Sequence, residues 1–286
     1  MKMNNLSDCY KLSNGVEIPC IGFGTFLSPD GEITIKSVKA AIDIGYRHID
    51  TAAIYGNEKS VGDAIKASNI VTREKLFITS KLWNSEQGFR STLVAFDRTM
   101  KDLQLEYLDL YLIHWPVVKG HKEDWQKAIL DTWKAFEKLY KEGKIRAIGV
   151  SNFLPHHLNT IISNAEIQPM VNQIELHPGQ TQSETVLFCQ KYSILIEAWS
   201  PLGRGIMLSN AILKEIAEKY NKSVAQLCIR WSLQNGFLPL PKSVTQSRIS
   251  ENAKVFDFEI THEDMEIINT IPYFGGSGSD PDNIDF

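Results

Sequence analysis

The stretch "YRHIDTAAIYGNE" (residues 46–58) ends a short strand-like segment on Asp50 and sets Tyr55 five residues further on. A helical pattern marked by Ile35, Val38 and Ile42 stops just before it, at Gly45. "RHID" is too short for a helix and reads as a strand. A helix, a strand and then a polar group at the strand end make a unit that recurs along the chain.

Working outward, "IGFGT" (21–25) is the strand before this one, and "LFITS" (76–80) and "LDLYLI" (108–113) are the next two. Phe89, Leu93, Phe96, Met100 and Leu103 fall on one helical stripe between them. Trp133, Phe136 and Tyr140 mark another helix. "IRAIGV" (145–150), "MVNQIE" (170–175), "ILIEAW" (194–199) and "FLPL" (237–240) complete a set of eight strands, with "VAQLCIRWSL" (224–233) among the later helices. Several strands are apolar almost throughout, as parallel strands covered on both faces are. Alternation of strand and helix implies right-handed crossovers and either an open sheet or a closed barrel. An open dinucleotide-binding sheet should show G-x-G-x-x-G at its first turn. "GFGTFL" has Gly22 and Gly24, but Leu27 stands where the third glycine belongs. The expectation is therefore an α/β protein, a (β/α)8 TIM barrel formed as one domain over 1–286. Residues 8–19 add an N-terminal β-hairpin, with Asn14 and Gly15 expected as the two positive-φ residues of a tight turn. A short tail covers 272–286.

Bulk properties agree. A chain of 286 residues with 43% apolar content can bury one large core. A net charge of −4, evenly mixed, offers no basic run for nucleic acid or an anionic membrane. The start, "MKMNNLSDCYK", lacks the apolar centre of a signal peptide, and no apolar run approaches membrane-spanning length, so a cytoplasmic protein is expected. Cys9, Cys20, Cys189 and Cys228 are scattered, without the spacing of a disulfide frame or zinc site. The histidines show no metal-binding motif. His156 and His157 are adjacent and read as a solvated helix start, and no metal is expected.

Asp50, Lys81 and His114 follow the second, third and fourth strands. In a barrel these would be neighbours on the C-terminal rim, where barrel enzymes keep their chemistry. A phenol has a pKa of about 10. A nearby ammonium lowers it, by about 1–3 units, and a carboxylate keeps that ammonium charged. Asp50, Lys81 and Tyr55 then read as a tuned acid, with His114 able to orient a substrate oxygen. Each residue alone also fits a plainer role: Asp50 and Lys81 as a structural ion pair, His114 as a satisfied core histidine. Their joint position at adjacent strand ends favours the catalytic reading.

"GYRHIDTAAIYGNE", "ITSKLW", "LIHWP", "IGVSNF" and "LPKSVTQSRISEN" closely resemble, in order and spacing, the motifs of the aldo-keto reductases. The resemblance spans nearly the whole chain and implies an NADPH-binding barrel with Asp50, Tyr55, Lys81 and His114 as its catalytic tetrad. It implies that Lys242, Ser243, Val244, Thr245 and Arg248 hold the 2′-phosphate of NADPH, with Glu251 and Asn252 on the adenine side. Lys and Arg with hydroxyl donors suit a phosphomonoester, although the same residues also fit an ordinary helix start. The resemblance further implies that Ser200, Pro201, Leu202, Gly203 and Gly205 line the pyrophosphate and that Trp199 stacks on the nicotinamide. That position is often tyrosine, and Trp199 also fits the core. Ser151, Asn152 and Gln173 would grip the carboxamide, with Thr25 and Asp50 at the same end of the cofactor. Phe26, Trp83, Asn84, His114 and Trp115 are expected at the substrate mouth, although the aromatics also suit plain packing. The short tail resembles that of microbial members such as the diketogluconate reductases and broad aldehyde reductases, implying a shallow site.

The expected activity is NADPH-dependent reduction of aldehydes or ketones by a monomer. Two alternatives stay open. One is a class I aldolase with Lys81 as Schiff-base residue. The other is a non-catalytic NADPH-sensing subunit.

Overall fold

The computed structural model describes residues 3–119, 122–284 and 286. Met1, Lys2, Gly120, His121 and Asp285, some of which fall in the amino-terminal and tail readings, lie outside the described residues. Strands β1 (Cys9–Lys11) and β2 (Glu17–Pro19) pair antiparallel as the hairpin. Its turn differs from the expected one. Gly15 has φ 87°, but Asn14 is not in the positive-φ region. Gly15 N donates to Leu12 O at 2.8 Å and Leu12 N to Val16 O at 2.9 Å, so the loop is a three-residue one ending on a left-handed glycine. Asn14 serves through its side chain instead. Its Oδ1 accepts from Val16 N at 3.1 Å, and its Nδ2 donates to Arg146 O at 2.9 Å. That second bond ties the hairpin to the foot of a barrel strand.

Eight parallel strands follow: β3 (Gly22–Gly24), β4 (His48–Asp50), β5 (Phe77–Leu82), β6 (Leu108–Ile113), β7 (Ile145–Ser151), β8 (Val171–Glu175), β9 (Leu195–Trp199) and β10 (Leu238–Leu240). Each is hydrogen-bonded to the next in chain order. β3 and β10 meet at a seam where Gly24 N donates to Pro241 O at 3.1 Å, so the sheet is a nearly closed barrel. Around it run α1 (Glu32–Ile44), α2 (Glu58–Lys66), α3 (Phe89–Leu103), α4 (Trp125–Lys141), α5 (Pro155–Ile162), α6 (Ser183–Lys191), α7 (Ala211–Lys219), α8 (Val224–Gln234), α9 (Gln246–Ala253) and α10 (His262–Asn269). No helix among the described residues is long and apolar enough to cross a membrane.

The strands form because both of their faces are covered. Every residue of β5 and β6 is buried. On α3, Phe96 and Leu103 are fully buried and Leu93 and Met100 partly so, whereas Phe89 at its first position stays exposed. Each such fully buried apolar side chain contributes about 1.5–3 kcal/mol. β5 runs two residues past the expected "LFITS", to Leu82. Alternation then sends Ser80 outward, where its Oγ donates to Glu58 Oε1 of α2 at 2.6 Å, and sends Lys81 into the barrel. Lys81 is thus an interior strand residue, not the residue after the strand.

Candidate active site

The four residues marked by the strand ends meet inside the rim. Lys81 Nζ donates to Asp50 Oδ1 at 2.7 Å, Asp50 Oδ2 at 2.8 Å and the Thr51 carbonyl at 2.9 Å, and it lies 3.4 Å from the Tyr55 hydroxyl. Lys81 is fully buried, Asp50 nearly so. Tyr55 ends a short 3-10 turn, Ala53–Tyr55, that follows β4 and leans the ring over the lysine. His114 follows β6, and its ring stands edge-on to Tyr55 at 5.8 Å and to Trp83 at 5.3 Å. Its Nδ1 has no hydrogen-bond partner among the described residues.

Burial alone would strip the charge from Lys81. The Asp50 carboxylate more than offsets this and holds the lysine pKa above its ordinary value. For Tyr55 the balance runs against the expectation. Dehydration of the phenol raises its pKa, and Asp50 adds to that. The Lys81 ammonium counters them without reversing the sign. Tyr55 is therefore a fully protonated phenol at neutral pH rather than a partly ionised one. Burial, helped by Lys81, holds His114 well below the usual imidazole range, so it is neutral. A neutral imidazole, a protonated phenol and a fixed ammonium converge on one face.

These groups open into a cleft of about 850 Å³. Most of the anticipated cofactor and substrate residues line it: Phe26, Asp50, Trp83, Trp115, Ser151, Asn152, Gln173, Trp199, Ser200, Pro201, Leu202, Gly205, Lys242, Ser243, Arg248, Glu251 and Asn252. Trp199 Nε1 donates to Asn152 Oδ1 at 2.9 Å, and Asn152 Nδ2 to the His114 carbonyl at 2.9 Å, which fixes the indole plane against the tetrad. Others stand off the wall. Thr25 is buried behind it, its Oγ1 donating to the Asp50 carbonyl at 2.9 Å. Gly203 packs against Met207 and His177, where a Cβ would come within 2.7 Å of Met207. Val244 and Thr245 are exposed on the loop beyond β10. Asn84 Nδ2 donates to the Phe286 carbonyl at 3.2 Å.

Arg204, Ser279 and Phe286 are among the wall residues that were not legible beforehand. Arg204, in a left-handed conformation at φ 53°, reaches 5.9 Å over the Phe26 ring from across the cleft. Its only signal was a cation between two glycines. Ser279 and Phe286 of the tail also line the cleft. The Phe286 ring stacks on Trp83 at 5.9 Å and meets Trp115 edge-on at 5.5 Å. The short tail therefore forms part of the cleft wall.

The tail is held at two points. Ser277 N and Oγ donate to Glu175 at the end of β8, at 2.8 and 2.5 Å. Further on, Asp282 Oδ1 lies 2.9 Å from Nε2 of both His156 and His157. The solvated-start reading fits His156, which is half exposed, but not His157, which is fully buried. His157 Nδ1 accepts from Leu154 N at 3.1 Å, so the neutral ring carries its proton on Nε2. That Nε2 lies near Asp282 Oδ1 without hydrogen-bond alignment, while the aligned bond to Asp282 comes from His156 Nε2 at 2.9 Å. Burial keeps that ring neutral, with its pKa down to about 4. A metal ion would need a lone pair on that same Nε2, so the trio is better suited to clasp the tail than to ligate.

A family model for the aldo/keto reductase family matches residues 20–272. The glyoxal reductase of Bacillus subtilis is 54% identical over 99% of both chains. The 9,11-endoperoxide prostaglandin H2 reductase of Trypanosoma cruzi is 49% identical over 98% of this chain and 97% of its own. Among solved structures, an aldo-keto reductase from a deep-sea metagenome library superposes with a TM-score of 0.90 at 46% identity, covering 97% of this chain and all of the other. A Bombyx mori aldo-keto reductase in complex with NADP gives 0.85 at 36% identity, covering 93% and 92%. With the barrel, the converged residues and these matches in agreement, the chain belongs to the aldo/keto reductase family.

Proposed function

We propose that the chain reduces aldehydes or ketones to alcohols with NADPH, with Tyr55 as the proton donor. The observation that carries this reading is the fully buried Lys81, gripped by Asp50 and 3.4 Å from the Tyr55 hydroxyl, at the floor of the cleft. The donor set of the cleft fits a phosphorylated dinucleotide. At one end Ser151, Asn152 and Gln173 offer amide and hydroxyl groups beside the Trp199 indole. At the other, Lys242 and Arg248 offer two cations on one wall.

When bound, the reduced nicotinamide supplies a hydride to the carbonyl carbon. The rest falls to this chain. Neutral His114 donates a hydrogen bond to the carbonyl oxygen and holds it beside Tyr55. As negative charge develops on that oxygen, the Tyr55 proton moves to it. The phenolate left behind is stabilised by Lys81, whose charge Asp50 maintains. Before the reaction the phenol is held neutral by burial, so the proton is present to give; afterwards the ammonium lowers the cost of losing it. Trp83, Trp115, Phe26 and Phe286 give the mouth an aromatic lining that suits small to medium carbonyls. The relative named as a glyoxal reductase supports small dicarbonyls as the first substrates to try.

The aldolase alternative needs a neutral lysine amine to attack a ketone. Lys81 is committed to Asp50 and the Thr51 carbonyl and held charged, which opposes it.

Tyr55→Phe tests the reading. Loss of the hydroxyl should lower kcat at least a hundredfold with methylglyoxal, in line with the weight of a general acid. NADPH affinity, read by fluorescence quenching, should change less than about threefold, as no hydrogen bond to the nucleotide is removed. A Phe variant with near-normal turnover would remove Tyr55 from the mechanism.

A further inference from the structure

Beneath the tetrad the barrel interior holds a second buried carboxylate that the reaction above does not use. Glu197 of β9 is fully buried. Its Oε2 accepts from Gln173 Nε2 at 2.7 Å, and the same Nε2 donates to Asp50 Oδ2 at 2.9 Å. One amide therefore bridges two carboxyl groups. Glu197 Oε1 has no hydrogen-bond partner among the described residues. The groups facing Glu197 are few: Gln173 beside it on β8, Leu238 beside it on β10, His48 and Asp50 from β4, and Lys81 from β5. His48 Nε2 stands 3.8 Å from Glu197 Oε1 and is already bonded to Thr79 Oγ1 at 2.9 Å.

This set contains two carboxyl groups and one lysine. Lys81 is committed to Asp50. An ionised carboxylate without its own cation is costly in a dry interior, so Glu197 is the one to stay protonated. Burial and the Asp50 charge push it up to about 8, while burial and Lys81 hold His48 down to about 3. Both are neutral at pH 7.

The consequence falls on Gln173. An amide side chain can present either end, since its oxygen and nitrogen are nearly the same size. Here both amide hydrogens are drawn toward carboxyl oxygens, and Gln173 borders the cleft. We propose that Glu197 is a positioning residue of the reductase site: together with Asp50 it sets the polarity of the Gln173 amide, so that a carbonyl acceptor faces the nicotinamide carboxamide. The proposal rests on the reading that the nicotinamide end of the cofactor lies against Gln173.

A second effect follows from the same placement. Above about pH 8 Glu197 ionises and adds a negative charge under the cofactor site. The oxidised nicotinamide ring is cationic and the reduced ring is neutral. Binding of the cation favours ionised Glu197, so NADP+ affinity rises relative to NADPH as pH passes through about 8 and a proton is released on binding.

The test is equilibrium binding by protein fluorescence, without turnover. NADPH, NADP+ and 2′,5′-ADP (which lacks the nicotinamide) are titrated between pH 6.5 and 9.5 into wild type, Glu197→Leu and Glu197→Gln. The Leu variant should bind both dinucleotides about 3–10-fold more weakly, the value of one hydrogen bond, and 2′,5′-ADP as wild type does. The Gln variant keeps an acceptor for Gln173 and should bind NADPH within about twofold of wild type at pH 7. It should lose the pH-dependent preference for NADP+ that wild type shows. Equal weakening of all three ligands in the Leu variant would reduce Glu197 to a structural residue and overturn the proposal. A Gln variant that weakens all three ligands alike would do the same, and this arm decides the matter if the Leu variant fails to fold. A Gln variant that keeps the wild-type pH dependence would overturn the second effect by assigning the titration to another group. Wild type that binds neither dinucleotide would instead overturn the functional reading beneath it.

Discussion

At the scale of single residues the lysine is the unusual choice. A long cation is almost never fully buried without a partner, and Lys81 has an anion on one side and a phenol on the other. Lys81→Met removes the charge but keeps the stem. Asp50 then keeps the Gln173 amide as a hydrogen-bond donor but has lost its cation. Breaking a buried pair from one side costs about 3–5 kcal/mol, chiefly from the orphaned charge. Urea unfolding should show that loss, and Asp50→Asn added to Lys81→Met should restore at least half of it. A single variant as stable as wild type would show that the pair serves catalysis alone. Arg248 lies outside the barrel, on the exposed wall of the cleft. Arg248→Ala should raise the Kd for NADPH about tenfold or more and change that for NADH less than about twofold, since the guanidinium suits a phosphomonoester that only NADPH carries. Equal losses would take the 2′-phosphate away from Arg248. The convergence of Asp50, Lys81 and His114 was legible because each alone has a plain explanation but charge at the ends of three adjacent strands together has few. Arg248, on the helix beyond β10, stood out only through the family resemblance. The direction of the Tyr55 shift was not legible. Spacing shows that a lysine is near, but the depth of burial that outweighs it is set by the packing of other strands.

At the scale of elements, the strands and helices follow hydrophobic period, and most lie within a residue or two of where alternation and helical stripes put them. The tail is the exception. "GGSGSDPDNIDF" has no period and few apolar residues, so nothing local gives its course. Its path is fixed by partners more than a hundred residues away: Glu175 on β8, His156 and His157 at the start of α5, and Trp83 after β5. The clasp and the aromatic stack act in series, since Asp282 anchors the segment that ends in Phe286. Asp282→Ala should therefore raise KM for an aromatic carbonyl such as phenylglyoxal about 3–10-fold, the range of a lost aromatic pair, and leave kcat nearly unchanged. Phe286→Ala should do the same. The double variant should be no worse than the stronger single one, because both remove the same wall. Additive losses would mean that the clasp and the ring act on different steps.

For the whole molecule the question is closure. Seven of the neighbouring strand pairs lie in one continuous sheet, and the barrel is completed where β3 approaches β10. That approach depends on Gly22. A Cβ there would stand 2.4 Å from Leu240 Cδ2 and 2.6 Å from His48 Nδ1, inside any allowed contact. Leu240 can turn aside, but His48 is fully buried and tied to Thr79, so the strand itself must move. Gly24, two residues on, is less confined: its Cβ would meet the Leu240 carbonyl at 3.4 Å and Lys242 Cβ at 3.7 Å. Gly22, one of the two glycines that matched the dinucleotide fingerprint before Leu27 broke it, thus has a different use, which is to let the first and last strands come together. Gly22→Ala should destabilise the fold by about 1–3 kcal/mol, as overpacking does, and lower Tm by roughly 3–10 °C for a chain of this size. Gly24→Ala should cost less than about 1 kcal/mol on the same reasoning. The effect of Gly22→Ala should also reach the cleft, because β10 leads directly into Lys242 and Arg248 on its wall. NADPH affinity should fall with the seam while Tyr55, Lys81 and His114 keep their geometry, so kcat at saturating cofactor should hold. Equal melting temperatures for the two glycine variants would show that the seam tolerates a side chain at Gly22 and that closure rests on other contacts.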